Sequence, residues 1–152
     1  MNVIIGADHG GFRLKQVIAG FIPVIGHEVM DVGAFHEDQS DDYPDIARAV
    51  AEAIMGGRAQ RGILICGSGV GASIAASKFP GIRAAVCHDS YSAHQGVEHD
   101  DMNVLCLGER IIGEELAKEI VSLYLQAVFS GSDRHARRVQ KVKAFEKEFM
   151  RL

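Results

Sequence analysis

The segment Ile63-Leu64-Ile65-Cys66-Gly67-Ser68-Gly69-Val70-Gly71 ends an apolar run in a thiol and continues into a glycine-rich turn. Closely spaced glycines let backbone N–H groups converge on an oxyanion. A helix-like stretch, residues 72–78, follows, and a thiol beside a helix N-terminus loses its proton more readily than a free one. One short segment therefore offers a base, Cys66, and a cradle for negative charge built from Gly67, Ser68, Gly69, Val70 and Gly71. The ordinary fate of a free cysteine is burial as a small hydrophobe, and the adjoining turn argues against that fate here.

Other reactive groups lie far away in sequence. Asp8-His9 precedes Gly10-Gly11, and either side chain could polarise a hydroxyl group. Arg134 and Arg138 stand four apart, so on a helix they share a face that suits a phosphate; a solvated basic stripe is the competing reading. His88, Asp89, His94, His99, Asp100 and Asp101 are dense in ligand-type side chains that would suit a divalent metal. No HExxH or comparable ligand spacing appears among them, and no metal or other cofactor is expected. Gly67-x-Gly69-x-x-Ala72, with Asp89 about 20 residues on, matches the relaxed dinucleotide fingerprint. Against that reading, the turn follows the third strand rather than the first, and a cofactor role leaves Cys66 and Asp8-His9 unused. The phosphate-loop reading fails because no Lys-Ser/Thr follows the turn.

These groups need a scaffold to bring them together. Val3-Ile4-Ile5 reads as a buried strand. Leu14, Val17, Ile18, Phe21, Ile22 and Ile25 recur at helical spacing, with Pro23 expected to kink or shorten that helix. Further strands are expected at residues 28–32, 62–66, 83–87 and 104–107. Helices are expected after Pro44, at 72–78, near 91–99, over 113–129 and around Val139, Val142, Phe145 and Phe149. Alternating strands and helices imply one α/β domain over residues 1–152, a doubly wound parallel sheet of five strands with helices on both faces and a C-terminal helix. The flavodoxin-like order 2-1-3-4-5 makes the first and third strands neighbours at the switch point where ligands bind. The loops holding Asp8-His9 and Cys66 to Gly71 would then border one crevice.

The 152 residues include 47% hydrophobic and 24% charged side chains, ordinary for a soluble globular chain. The net charge of -4 argues against broad nucleic-acid binding. No apolar run approaches the roughly 20 residues that span a bilayer, and the first residues lack the basic flank of a signal peptide. Three cysteines without a CxxC pair suit reduced thiols in the cytoplasm.

These elements resemble the sugar-phosphate isomerases of the ribose-5-phosphate isomerase B type, a family that also includes galactose-6-phosphate and allose-6-phosphate isomerases. The resemblance covers nearly the whole chain. It rests on Gly6-Ala7-Asp8-His9-Gly10-Gly11, Asp42-Tyr43-Pro44, Ile65 to Gly71, Ala75-Ala76-Ser77-Lys78, Gly81-Ile82-Arg83-Ala84, Asn103-Val104-Leu105, Gly108-Glu109-Arg110 and Arg134-His135 with Arg138. It implies a metal-free aldose–ketose isomerisation through an enediolate, most readily ribose 5-phosphate to ribulose 5-phosphate, a step of the pentose phosphate pathway. It also implies homodimers with shared active sites, and leaves open whether dimers pair into tetramers.

By position, the resemblance makes Cys66 the base between C1 and C2; relatives that use a glutamate carry it where this chain has Ala72. The Gly67–Gly71 amides and the Ser68 hydroxyl match the oxyanion cradle, and His99 the group that assists ring opening from the second subunit. Asp8, His9 and Tyr43 match the lining of the sugar site. Arg110, Arg134 and Arg138 match phosphate contacts, which His9 could join. The family usually has asparagine after this histidine, and here the residue is Asp100. An ionised carboxylate cannot donate to the enediolate oxygen, and at about 4 Å it would repel it by about 4 kcal/mol at an effective dielectric of 20. Either Asp100 turns outward or the substrate supplies a hydroxyl donor there. Other aldose phosphates remain alternatives to ribose 5-phosphate, and a small nucleotide-binding module is the alternative from a different class.

Overall fold

The computed structural model describes residues 1–150. Its strands are β1 Asn2–Ala7, β2 Glu28–Asp31, β3 Arg61–Cys66, β4 Ala84–Val86 and β5 Val104–Gly108. The helices are α1 Phe12–Val24, α2 Tyr43–Met55, α3 Val70–Ala76, α4 Ser90–Asp100, α5 Glu114–Gln126 and α6 Asp133–Phe149. Pro23 lies in the last turn of α1, which ends one residue later; the proline shortens the helix, as its missing N–H requires. Pro44 occupies the first turn of α2, where that N–H is not needed. Among the described residues, no helix is long and apolar enough to cross a membrane.

All strands are parallel and run in the order β2-β1-β3-β5-β4. The expected class is borne out, and the expected neighbourhood of β1 and β3 with it. The order 2-1-3-4-5 is corrected: β5 sits beside β3, and β4 forms the edge. Burial explains the exchange. All of Val104-Leu105-Cys106-Leu107-Gly108 is buried, whereas Ala84-Ala85-Val86 is short and only half buried. A short strand suits an edge, because it leaves little unpaired backbone. The exchange has a consequence for chemistry. Cys66 now pairs with Gly108, so the loop after β5, and not the loop after β4, borders the cysteine turn.

The sheet separates two cores. On one face Val3, Ile5, Ala7, Ile63, Ile65, Leu105 and Leu107 pack with α1, α4 and α5 through Leu14, Ile18, Val97, Ile120 and Tyr124. On the other, Ile4, Leu64, Val104 and Cys106 pack with α2 and α3 through Ala47, Val50, Ala72 and Ala76. Each fully buried Ile, Leu or Val contributes roughly 1.5–3 kcal/mol by leaving water. Helix α6 packs on α4 and buries only His135 and Val139. Val142, Phe145 and Phe149 remain exposed.

Candidate active site

Strand β3 delivers Cys66 to the carboxyl edge of the sheet. The chain then turns through Gly69, whose φ of 80° lies in the left-handed region. A Cβ there would also stand 3.1 Å from the Leu107 backbone, so a side chain is strained twice over. The turn points the Gly69 N–H back at the Cys66 sulfur, 3.1 Å away, and starts α3, whose first N–H, that of Val70, donates to Ser68 Oγ at 3.3 Å. Cys66 is 5% exposed yet lines an open cavity of about 300 Å³ with Asp8, Tyr43, Gly67, Ser68, Gly71, Arg110 and Ile111. The thiol is therefore not sealed in hydrocarbon.

The distant loops meet here as expected. Gly10 approaches so closely that a Cβ on it would lie 2.9 Å from the Gly67 nitrogen. The Tyr43 ring covers Gly71, and the Arg110 guanidinium lies against Gly67. Glu109 and Arg110 donate their N–H groups to the Cys66 and Gly67 carbonyls, which locks the loop after β5 onto the turn. Asp8 is buried, and its carboxylate accepts from the Gly10 N–H at 2.9 Å. This caps a single 3-10 turn, His9–Gly11, in a segment whose sequence reads as a loop. Burial holds the Asp8 carboxyl above its ordinary range, opposed by the Gly10 N–H and by His9.

His99, Asp100, Arg134 and Arg138 lie elsewhere. Because α4 links parallel strands, it leaves the carboxyl edge at Ser90 and ends at the amino edge with His99 and Asp100. Helix α5 makes the same return, and α6 starts beside them. The His99 ring stacks on His135 with centroids 4.0 Å apart. His135 in turn lies 2.7 Å from Ser130 Oγ and accepts from Arg134 Nε at 3.1 Å. Burial lowers the His135 pKa, and His99, Arg134 and Arg138 push the same way. Arg138 and Asp100 border a cavity of about 550 Å³ between α4, β4 and α6. Asp100 Oδ2 is 3.4 Å from Gln95 Nε2 and, among the described residues, within 4 Å of no cation. One chain thus holds the two groups of residues apart, at opposite edges of the sheet, separated by about 15 Å, the length of a five-residue strand.

Three residues of these clusters were not among the candidate site residues, although Glu109 and His135 stand in motifs that carry the family resemblance. Asp41, within an acidic run, accepts from the His9 backbone N–H at 2.9 Å and pairs with His9 Nδ1 at 2.7 Å. Glu109 Oε2 accepts the Leu14 N–H at 2.9 Å and ties α1 to the loop after β5. His135 lies off the face that Arg134 and Arg138 share, and the tertiary contact with His99 shows what it packs against.

The residues around His88 and Asp101 do not assemble as a metal site. Asp89 caps α4 by accepting the Ser92 N–H at 2.7 Å, and Asp101 is paired with Arg83 at 2.8 Å. Asp8, His9 and Asp41 do bring ligand-type atoms within 4.8 Å of one another, but the Asp41 hydrogen bond occupies one His9 ring nitrogen. The dinucleotide fingerprint also loses its acidic residue, since Asp89 serves as a helix cap and follows an edge strand that does not adjoin β3.

A family model described as Ribose/Galactose Isomerase matches residues 3–142. The ribose-5-phosphate isomerase B of Escherichia coli is 48% identical over 145 residues, covering 95% of this chain and 96% of that protein. The D-erythrulose-4-phosphate isomerase of Pectobacterium atrosepticum is 42% identical over 146 residues, covering 96% and 95%. A solved structure of the Clostridium thermocellum ribose-5-phosphate isomerase B superposes with a TM-score of 0.94 at 52% identity, covering 98% of this chain and 99% of that one.

Proposed function

The chain belongs to the ribose/galactose isomerase family, and from that premise we propose that it is an aldose–ketose isomerase of a phosphorylated sugar, with ribose 5-phosphate and ribulose 5-phosphate as its substrate pair and Cys66 as its base. The observation that carries this reading is the cavity shared by Cys66, Asp8, Tyr43, Ser68 and Arg110. The Cys66 thiolate takes the proton from C2 of the open aldose. The C–H electron pair forms the C1=C2 bond, and O1 becomes an oxyanion. The amides of the Gly67–Gly71 turn that are not already committed, with the Ser68 hydroxyl, hold that charge, while the Gly69 N–H stays on the Cys66 sulfur. Return of the proton to C1, with exchange of the hydroxyl proton between O2 and O1, yields the ketose.

Arginines at the far end hold the phosphate and so position the reacting carbons. Arg110 lies at the cavity; Arg134, Arg138 and His99 lie at the opposite edge of the sheet. Those three act at the Cys66 of a second copy, in a homodimer whose two sites are each assembled from both chains. The exposed apolar side chains support such an assembly. Tyr43 and Ile111 line the cysteine cavity, Val70 and Ile74 are exposed on α3, and Val142, Phe145 and Phe149 project from α6 beside the other half-site. In a two-fold dimer each patch covers the other twice.

A four-carbon substrate is the second reading. It is favoured by Asp100, a carboxylate unable to donate to an enediolate oxygen, and by the relative named for D-erythrulose 4-phosphate. The deciding experiment is turnover of four-, five- and six-carbon aldose phosphates by purified protein. Ribose 5-phosphate is expected to give the highest kcat/KM. A clear preference for the tetrose installs the second reading. No turnover of any of them, with tight NAD or ATP binding, overturns both in favour of a nucleotide-binding module.

A further inference from the structure

We propose that Asp41 is a positioning residue that sets the state of His9, fixing the imidazole with its proton on Nδ1 so that Nε2 is the nitrogen presented to a substrate phosphate oxygen. The inference rests on the crevice being a sugar-phosphate site. One carboxylate oxygen, Asp41 Oδ1, is 2.9 Å from the His9 backbone nitrogen and 2.7 Å from Nδ1. Two donors on a single acceptor fix both the position of the ring and its tautomer, because Nδ1 must carry a proton to bond there. The His9 ring is 27% exposed, and among the described residues Nε2 has no protein partner.

The Asp41 backbone is held in place, and the second carboxylate oxygen, Oδ2, is buried with no hydrogen-bond partner among the described residues. The side chain is 18% exposed, and the Asp41 N–H donates to the Asp38 carbonyl at 3.2 Å. Asp38 Oδ1 in turn accepts from the Ser40 N–H and hydroxyl at 2.9 and 2.7 Å. The other end of the loop is clamped by Lys15. This fully buried ammonium donates to Asp31 at 2.6 Å and to the Ala34 carbonyl at 2.7 Å. A loop pinned at both ends can aim a carboxylate as a loose acidic run cannot.

The charged groups facing His9 are Asp8 from its own turn and Asp41 and Asp38 from the loop. All are acidic and favour the imidazolium. The His9 pKa is accordingly raised, chiefly by the Asp41 hydrogen bond and against the effect of burial. As imidazolium, His9 donates Nε2–H to a phosphate oxygen and adds a positive charge. Once neutral, Nε2 turns a lone pair on the same oxygen. Phosphate affinity therefore falls as pH rises through the His9 transition, and Asp41 moves that transition upward.

The test uses Asp41→Asn and Asp41→Ala in the whole protein. Asparagine keeps an oxygen acceptor and loses the charge; alanine loses both. Imidazole nitrogen chemical shifts report the His9 tautomer and titration, and competitive inhibition by inorganic phosphate reports its effect on anion binding. In wild type the neutral ring is expected to carry its proton on Nδ1. Asp41→Asn should keep that tautomer, titrate at lower pH and bind phosphate several-fold more weakly at pH 7.5, with kcat changed less than twofold. Asp41→Ala should also lose the tautomer preference. An Nε2–H tautomer in wild type, or a titration unmoved in Asp41→Ala, overturns the proposal. So does phosphate inhibition indifferent to both substitutions. Absence of sugar-phosphate turnover by wild type, with these nitrogen shifts as expected, strikes the functional reading alone.

Discussion

The Gly69 N–H donates to the Cys66 sulfur across 3.1 Å. The donor lies in the turn that closes over the thiol, so the sulfur is oriented by backbone and not by a mobile side chain. A thiolate gains more than a thiol from such a bond, because a charged acceptor strengthens it.

Cys66→Ser tests whether that sulfur carries the reaction. Serine keeps an acceptor for Gly69 but is a far weaker base, so kcat is expected to fall by about 10²–10⁴, the range of general-base catalysis. The thermal midpoint should stay within a few degrees of wild type, since the change removes little buried volume. Near wild-type turnover would take Cys66 out of its role.

The separation of Cys66 from His99 predicts complementation between dead variants. Cys66→Ala and His99→Ala are each expected to be nearly inactive. Mixed and allowed to exchange, half the dimers carry both substitutions on different chains, and each of those has one intact site. Recovery should approach about a quarter of wild-type activity. A mixture no more active than its components means that the two residues do not serve one site.

Asp100 predicts a change in preference. Among the described residues no cation pairs with it, and its exposure lets solvent and salt screen its repulsion of an enediolate. Asp100→Asn should raise kcat/KM for ribose 5-phosphate about tenfold relative to a four-carbon aldose phosphate, well below the roughly 4 kcal/mol of a pair at an effective dielectric of 20. Unchanged relative rates in a substrate panel would show that Asp100 faces away from the reacting oxygens.

Sequence made the sheet legible where burial was continuous. Val3 to Ile5 and Gly62 to Cys66 declare themselves by composition, and with them the meeting of Asp8 and Cys66 at one edge. It did not reveal that β5 displaces β4 from beside β3, because apolar runs of similar type differ there only in length. The distance of His99 and Arg138 from Cys66 has a topological reason: periodicity finds α4 and α6, but only the direction of travel across the sheet puts these residues at the edge remote from Cys66, and within the sequence the family resemblance alone assigns His99 to a second subunit. Asp41 was hidden by its neighbours, since nothing in an acidic run marks which carboxylate a loop will aim at His9.

His88 predicts a pH dependence of stability that begins at the edge strand and ends at the cysteine turn. Its Nε2 accepts the Gly108 N–H at 2.8 Å, which requires a neutral ring. Gly108 pairs with Cys66 and packs so tightly on Ser68 that a Cβ would lie 2.7 Å from that backbone. Burial lowers the His88 pKa, with Asp89 opposing. The unfolded chain therefore takes up the proton first as pH falls below the ordinary histidine range. The stability contributed by neutral His88 is complete at pH 7 and above, and is lost as pH drops toward the lowered native value. The loss should amount to about 1 kcal/mol, the net contribution of one hydrogen bond. His88→Gln can accept from Gly108 through its side-chain oxygen but does not titrate. Urea midpoints measured between pH 8 and 5 should thus decline less steeply for His88→Gln than for wild type. His27 and His135, whose pKa values are also lowered, keep the remaining slope from vanishing. Identical slopes for the two proteins would remove His88 from the acid sensitivity of the fold.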